Sequence, residues 1–405
     1  MTVNIDSEQL LTRLKVLGNT GREEGRLSRL AASEADKAGR DQLVTWLEEA
    51  GLEVHVDRIG NVFGVWNVPG DKAPLMMGSH IDTVINAGIF DGCYGVLSAL
   101  SVIEAMRTAG VEPDRPLMVG AFTNEEGVRY APDMMGSLVY AGGMDTDAAL
   151  AVIGNDETVL GEELARIGYA GDMEPGSIVP SAFIEAHIEQ GPVLEAENQL
   201  MGAVVNLQGI SWQKVTIRGE ANHAGTTPTH LRTDAGLAAA KVITFLRQLV
   251  ENSDSVATVG TIRLGPNAIN VIPDFAEFTV DLRDPDEATL KAREVALSEF
   301  LSELERQDGV SVQKKTLARF EPVTFDPEIV GIIEECAAAR QLSCRRMTSG
   351  AGHDAQMMAR ICPTAMIFVP SRKGISHNPL EHTDDASLIA GAQVLLDTAM
   401  RIVAR

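Results

Sequence analysis

The chain has 405 residues, 45% of them hydrophobic and 22% charged, a length that predicts two to three domains and a sizeable core. Asp and Glu total 57 against 34 Lys and Arg, and the resulting charge of -23 argues against nucleic acid or a membrane surface as partner. Cys93, Cys336, Cys344 and Cys362 form no CxxC pair, the opening residues lack the basic-then-apolar pattern of a secretory leader, and no apolar run approaches about 18 residues; the expectation is a soluble, cytoplasmic chain.

In chain order, apolar residues at helical spacing predict helices over 7–18 and 38–51, each ending near Gly. Short strands are predicted at 61–67 and 74–79, a helix at 94–109 closed by Gly110, and a strand at 116–123. This alternation predicts a mainly parallel α/β sheet covered on both faces. A different rhythm follows, with strand 211–218, helix 233–250, strands 256–263 and 275–282, helix 286–306 and strand 310–317. The order βαββαβ is that of a ferredoxin-like module. Helices at 327–340, 353–360 and 384–403 and a strand at 364–369 then resume the first pattern. The fold class is thus α/β, with one discontinuous domain (1–207 and 323–405) and an inserted ferredoxin-like domain (208–322).

Several predicted strands end in residues suited to metal chemistry. One runs into His80-Ile81-Asp82, with Asp91 shortly after; another runs into Asn124-Glu125-Glu126-Gly127. His187 lies in 183–188, and His377 lies in the segment GISHNP. Ligands in open α/β sheets bind beyond the carboxyl ends of the strands, where distant segments converge. His80, Asp91, Glu126, His187 and His377 offer imidazoles and carboxylates, the right donors for zinc or a similar divalent ion. A bridging carboxylate can hold two ions roughly 3.5–4 Å apart. In the Glu125-Glu126 pair, one carboxylate binds metal while its neighbour takes a proton from water. Asp82 is expected to accept the second ring N–H of His80 and fix its orientation.

The segments GSHIDT (78–83), GIFDGCYGV (88–96), TNEEGVRY (123–130), HIEQGPVLE (187–195), NHAGTTP (222–228), SGAGHDA (349–355) and SHNPLEHT (376–383) together resemble the M20 metallopeptidase-like family. Within it they look like the hydantoinase/carbamoylase branch of N-carbamoyl-L-amino-acid hydrolases, β-ureidopropionases and allantoate amidohydrolases. The resemblance implies a metallopeptidase-like catalytic domain with a two-metal site. His80 and His187 would hold one ion, Glu126 and His377 the other, with Asp91 bridging. It implies Glu125 as general base and acid and Asp82 as an orienting residue behind the metal ligands; histidine–carboxylate sites of this kind accept zinc, manganese, cobalt or nickel. It further implies a homodimer built through the inserted lid domain, with His223 reaching a substrate site across that interface to steady the oxyanion. Gln190, Asn270 and Arg283 match substrate-binding positions, Asn270 and Arg283 those that hold the substrate carboxylate. The loop beginning Ser349-Gly350 offers small residues and backbone N–H groups to the same anion.

The implied reaction is hydrolysis of the carbamoyl (ureido) C–N bond of an N-carbamoyl-L-amino acid or related ureido acid, giving amino acid, carbon dioxide and ammonia. Allantoate hydrolysis is the alternative, followed by an aminoacylase or dipeptidase activity; a metal-free binding protein is the contrasting class. His353 is read as local scaffolding, His55 and His230 as surface residues, and His382 as a neighbour of His377 rather than a ligand. Cys93 is read as packing, because no base is placed beside it.

Overall fold

The computed structural model describes residues 3–404, which form two compact units. One runs to Val205 and resumes at Phe325; the other is Asn206–Thr324.

The centre of the first unit is a sheet with four parallel strands in the order Thr364–Val369, Ala182–Ile188, Leu75–His80, Leu117–Phe122. Every residue of these four strands is buried, so both faces are covered, as parallel sheets require. The parallel arrangement stops there. Val62–Trp66 and Glu53–Val56 extend one side in antiparallel sense, and Met201–Leu207 flanks the other, so the sheet is mixed rather than mainly parallel. The helix Cys93–Thr108 packs on the three strands Leu75–His80, Leu117–Phe122 and Ala182–Ile188. Asp385–Val403 is long and apolar enough to cross a membrane, yet 67% of it is buried against the molecule's own helices and strands.

Helix boundaries follow the caps. Glu34–Glu49 begins four residues before the expected start, because the Ser33 side chain accepts the Asp36 N–H and the first turn is polar. Pro327–Ala339 begins where the Asp326 carboxylate accepts from Glu328 and Ile329. The helix expected over 353–360 is only Asp354–Met358.

The second unit is an all-antiparallel sheet in the order Val256–Thr258, Phe275–Asp284, Gly209–Arg218, Ser311–Phe320, with Ile262–Gly265 also on Phe275–Asp284. Helices Ala235–Leu249 and Glu287–Asp308 complete the βαββαβ order, the single strand expected at 256–263 being split in two. Strict alternation of burial along Phe275–Asp284 places Phe278, Val280 and Leu282 among Val242, Leu246, Leu290 and Leu297.

Close packing at Gly95 couples this architecture to the strand ends. A Cβ there would lie 2.5 Å from the Ala186 carbonyl oxygen and 2.8 Å from Ser79 Cβ, so the helix can approach both strands only as glycine. Gly95→Val is expected to cost about 1–3 kcal/mol through overpacking. Urea denaturation checks this, and a wild-type midpoint would contradict it.

Candidate metal centre

The central strands deliver their chemistry at one end. His80 closes Leu75–His80, and His187 is the penultimate residue of Ala182–Ile188. Glu125 and Glu126 follow Leu117–Phe122, and His377 lies between Thr364–Val369 and Asp385–Val403. Asp91 stands just before Cys93–Thr108. The intervening Gly92 has φ +64°, and a Cβ on it would lie 2.5 Å from the His80 ring. Only glycine fits that position.

The five expected ligands meet, and they divide into two groups. Asp91 Oδ1 lies 3.6 Å from His80 Nε2 and 3.2 Å from His187 Nε2. Asp91 Oδ2 lies 3.4 Å from His377 Nε2, which is 3.4 Å from Glu126 Oε2. In each triad the donor atoms lie within 4.8 Å of one another. Zinc–ligand bonds of about 2.0–2.2 Å at tetrahedral angles separate ligand atoms by roughly 3.4 Å, longer than an ordinary hydrogen bond. The observed spacings match that edge length. Glu126 Oε1, buried and without a hydrogen-bond partner, is a further oxygen pointing to a cation. The donor set fits divalent ions.

Neighbouring groups orient the donors. His187 Nδ1 lies 2.8 Å from the Ile188 carbonyl and His80 Nδ1 3.0 Å from the Asp82 carbonyl, so both rings carry that proton on Nδ1 and turn Nε2 inward. This revises the part expected of the Asp82 side chain. Its carboxylate is 3.8 Å from the His80 ring and instead accepts the backbone N–H groups of Glu125 (3.2 Å) and Glu126 (3.3 Å). It orients the acid pair, while its own backbone carbonyl orients the imidazole. Glu125 Oε2 is 3.4 Å from His80 Nε2, a carboxylate beside the first triad and outside both.

Electrostatics follow from this crowding. Burial alone would lower His80, yet Glu125, Asp91, Asp82 and Glu126 hold it well above the usual histidine range. Burial opposes charge on His187 too, but Asp91 raises it. The bond to Asp91 pushes His377, half-exposed at the open side, up to about 9. Burial lifts Glu125 far above the usual carboxylate range and, with Asp91 beside it, lifts Glu126 to about 8. Asp91 moves the other way, since three imidazoles overcome its burial.

The remaining expected residues are placed unevenly. Gln190 joins the centre through Asp91 itself: its Nε2 donates to Asp91 Oδ2 at 2.7 Å. The Ser349 hydroxyl is engaged within its own loop, donating to the Ala351 carbonyl at 3.0 Å and meeting His353 Nε2 at 3.1 Å. Its side chain is thus part of the loop's own bonding, and Gly350 stands exposed beside it. His353 is buried scaffolding, its ring 4.5 Å from that of His187. In the second unit, His223 and Asn270 are neighbours, with Ala224 N–H donating to the Asn270 carbonyl and a bridge joining His223 to Val271. His223 Nδ1 accepts from Gly225 and Thr226, leaving Nε2–H as an exposed donor. Arg283 does not join them. It sits at the far end of Phe275–Asp284, roughly 27 Å along the strand from Phe275 at about 3.4 Å per residue, and its guanidinium pairs with Asp281 at 2.9 Å. Sequence reasoning passed over Ser376 and Glu381, which contact Asp91 or its loop, although both lie inside SHNPLEHT.

Comparisons with known proteins show the family to which the chain belongs. Residues 76–401 match the sequence profile of peptidase family M20/M25/M40. An N-carbamoyl-L-amino-acid amidohydrolase of Rhizobium meliloti is 39% identical over 378 residues, covering 92% of this chain and 90% of that protein. An allantoate amidohydrolase of Bacillus subtilis is 33% identical over 396 residues, covering 94% and 93%. A crystal structure of a hydantoinase/carbamoylase family amidase from Burkholderia multivorans superposes with TM-score 0.97 at 40% identity, covering 100% of both chains.

The raised histidine and glutamate values give metal binding a definite pH sense. Protons held by His377 near 9 and Glu126 near 8 must leave when a cation takes their lone pairs, so apparent affinity rises with pH through that range. Calorimetric zinc titration near pH 7 in buffers of different ionisation enthalpy should show net proton release. Heats independent of the buffer would refute it.

Proposed function

Because the chain belongs to peptidase family M20/M25/M40, we propose that it is a two-metal amidohydrolase that opens the carbamoyl C–N bond of N-carbamoyl-L-amino acids. The chain is a hydrolase acting on non-peptide C–N bonds. The observation that carries the proposal is Asp91, whose two carboxylate oxygens face separate donor triads with Glu125 alongside.

In this reading His80 and His187 hold one ion, Glu126 and His377 the other, and Asp91 is shared. Zinc, manganese, cobalt or nickel suits such donors. When bound, the ions supply Lewis-acid polarisation and a lowered pKa for water. Glu125 takes the proton of the attacking water and later returns it to the leaving amine, burial having raised its proton affinity toward that work. Asp82 keeps the Glu125 backbone in register during both transfers. Water adds to the ureido carbonyl and the C–N bond to the amino acid breaks; the carbamic acid released falls to carbon dioxide and ammonia.

The second unit supplies substrate contacts in this reading, and the separation of its residues constrains how. Within one copy Asn270 lies just ahead of Phe275–Asp284 and Arg283 near its far end, which favours their reaching a small carboxylate from different subunits. We therefore propose a homodimer in which His223 of the partner subunit and Asn270 of the partner subunit act together, while Arg283 acts from the same chain as the metal centre. The exposed Nε2–H of His223 suits a developing oxyanion. A cytoplasmic location is part of the same proposal.

Allantoate is the second substrate reading, favoured by the 33% identity to the Bacillus subtilis enzyme. Ammonia release from N-carbamoyl-L-amino acids, N-carbamoyl-β-alanine and allantoate, with zinc, manganese, cobalt and nickel in turn, separates the two. Much faster turnover of allantoate would sink the first choice. Glu125→Gln is expected to lower kcat by about 10²–10⁴-fold while metal content stays unchanged. An unaltered rate would remove Glu125 from the chemistry.

A further inference from the structure

Outside the ligand set, one buried acid contacts the site at several points. Glu381 is 7% exposed and lies in the loop that carries His377. Its Oε1 accepts the backbone N–H groups of Phe90 at 2.9 Å and Asp91 at 3.3 Å, some 290 residues away in sequence. The Ser376 hydroxyl stands between two carboxylates, 3.2 Å from Glu381 Oε2 and 3.0 Å from Asp91 Oδ2. Gly88 leaves room for this contact, because a Cβ there would fall 2.2 Å from Glu381 Oε1.

We infer that Glu381 is a positioning residue that clamps the loop bearing Asp91 to the loop bearing His377, so that Asp91 faces both donor triads at once. The inference rests on the proposed metal centre but concerns a residue outside it. Asp91 stands in the loop before the helix Cys93–Thr108, and its carboxylate is placed by donors from other loops, Gln190 and Ser376. Glu381 fixes it twice: through the Asp91 amide directly, and through Ser376 at the carboxylate. The same carboxylate ties that loop to Ser376, five positions from Glu381 and next to His377. The ligand of one triad and the ligand shared by both are thereby held to a common anchor.

The test uses the full chain and zinc, titrated calorimetrically into metal-free protein, with steady-state kinetics in parallel. Glu381→Ala is expected to weaken zinc binding about 10–100-fold, the range typical for outer partners of metal ligands. Its kcat should recover at excess zinc, with KM unchanged. Glu381→Gln retains Oε1 for the Phe90 and Asp91 amides and turns an N–H toward Ser376, which leaves that hydroxyl free to donate to Asp91; its zinc affinity should stay within about threefold of wild type. A role confined to stability would lower the melting temperature of Glu381→Ala and leave its zinc affinity alone, which would overturn the inference. Should Glu381→Ala fail to fold, Gly88→Ala and Ser376→Ala perturb the same clamp from its other sides, and wild-type zinc affinity in both would overturn it as well. Wild-type protein that binds no zinc would instead refute the metal centre itself.

Discussion

A single carboxylate organises the molecule's chemistry. Asp91 is the one group that faces both donor triads, and each oxygen serves a different side. A side chain so short can do this only if its backbone is carried to the strand ends and held there. The first requirement is met by the helix Cys93–Thr108 lying close on the sheet, which Gly95 permits. The second is met by a shell of donors: the Gln190 amide and the Ser376 hydroxyl on Oδ2, and the Asp91 amide itself on Glu381. The surrounding backbone is bent to match. Asn124, Gln190 and His377 all adopt left-handed conformations, with φ between 52° and 57°; Asn124 opens the Glu125-Glu126 pair, Gln190 contacts Asp91 and His377 is itself a donor. Residues of this kind persist only where the surroundings hold them, and they gather at functional sites.

Acid crowding is the cost of that arrangement. Asp82, Asp91, Glu125 and Glu126 lie together in the interior, where burial alone disfavours every charge. The protein answers in two ways. Asp82 accepts two backbone N–H donors, which ties it to the Glu125-Glu126 pair. The others face imidazoles at 3.2–3.6 Å, close to the ligand–ligand spacing around a bound cation. The overall charge of -23 points the same way, since an acidic chain is a poor host for polyanions and a good one for divalent ions.

That the candidate donors meet was legible in the sequence because strand ends in an α/β sheet converge, so His80, Glu126 and His187 could be assigned to one place without knowing the strand order. The strand order itself was not legible. The strands at 61–67, 74–79 and 116–123 alternate with helices and so read as parallel, but Val62–Trp66 runs antiparallel to its neighbours, a sense that depends on connections that periodicity does not encode. Side-chain roles that depend on a single hydrogen bond were also beyond reach. Spacing suggested that the Asp82 carboxylate should meet His80, whereas the backbone carbonyl of the same residue does so. Arg283 and Asn270 looked alike as substrate contacts until the register set them at opposite ends of one strand. Glu381 escaped notice because an acid in a polar loop carries no signal of its own; only the fold shows that its partners are backbone amides nearly 300 residues distant.

Proximity of donors does not by itself define a cation site, as a third group in the same unit demonstrates. Glu185, His187 and His353 also bring ligand atoms within 4.8 Å of one another. Their lone pairs and protons are already committed. Glu185 accepts from the Ser79 hydroxyl at 2.6 Å and the Ala355 amide at 2.8 Å, His353 meets Ser349, and His187 turns Nε2 toward Asp91. An ion placed there would have to break bonds of ordinary length between neutral or singly charged partners, and the gain would not cover that loss. The triads around Asp91 differ in carrying an orphaned Glu126 oxygen, an excess of negative charge and imidazole–carboxylate spacings of 3.2–3.6 Å. What separates the two is unsatisfied valence, and that is why Glu185 reads as a strut between the strands of His80 and His187 while Asp91 reads as a ligand.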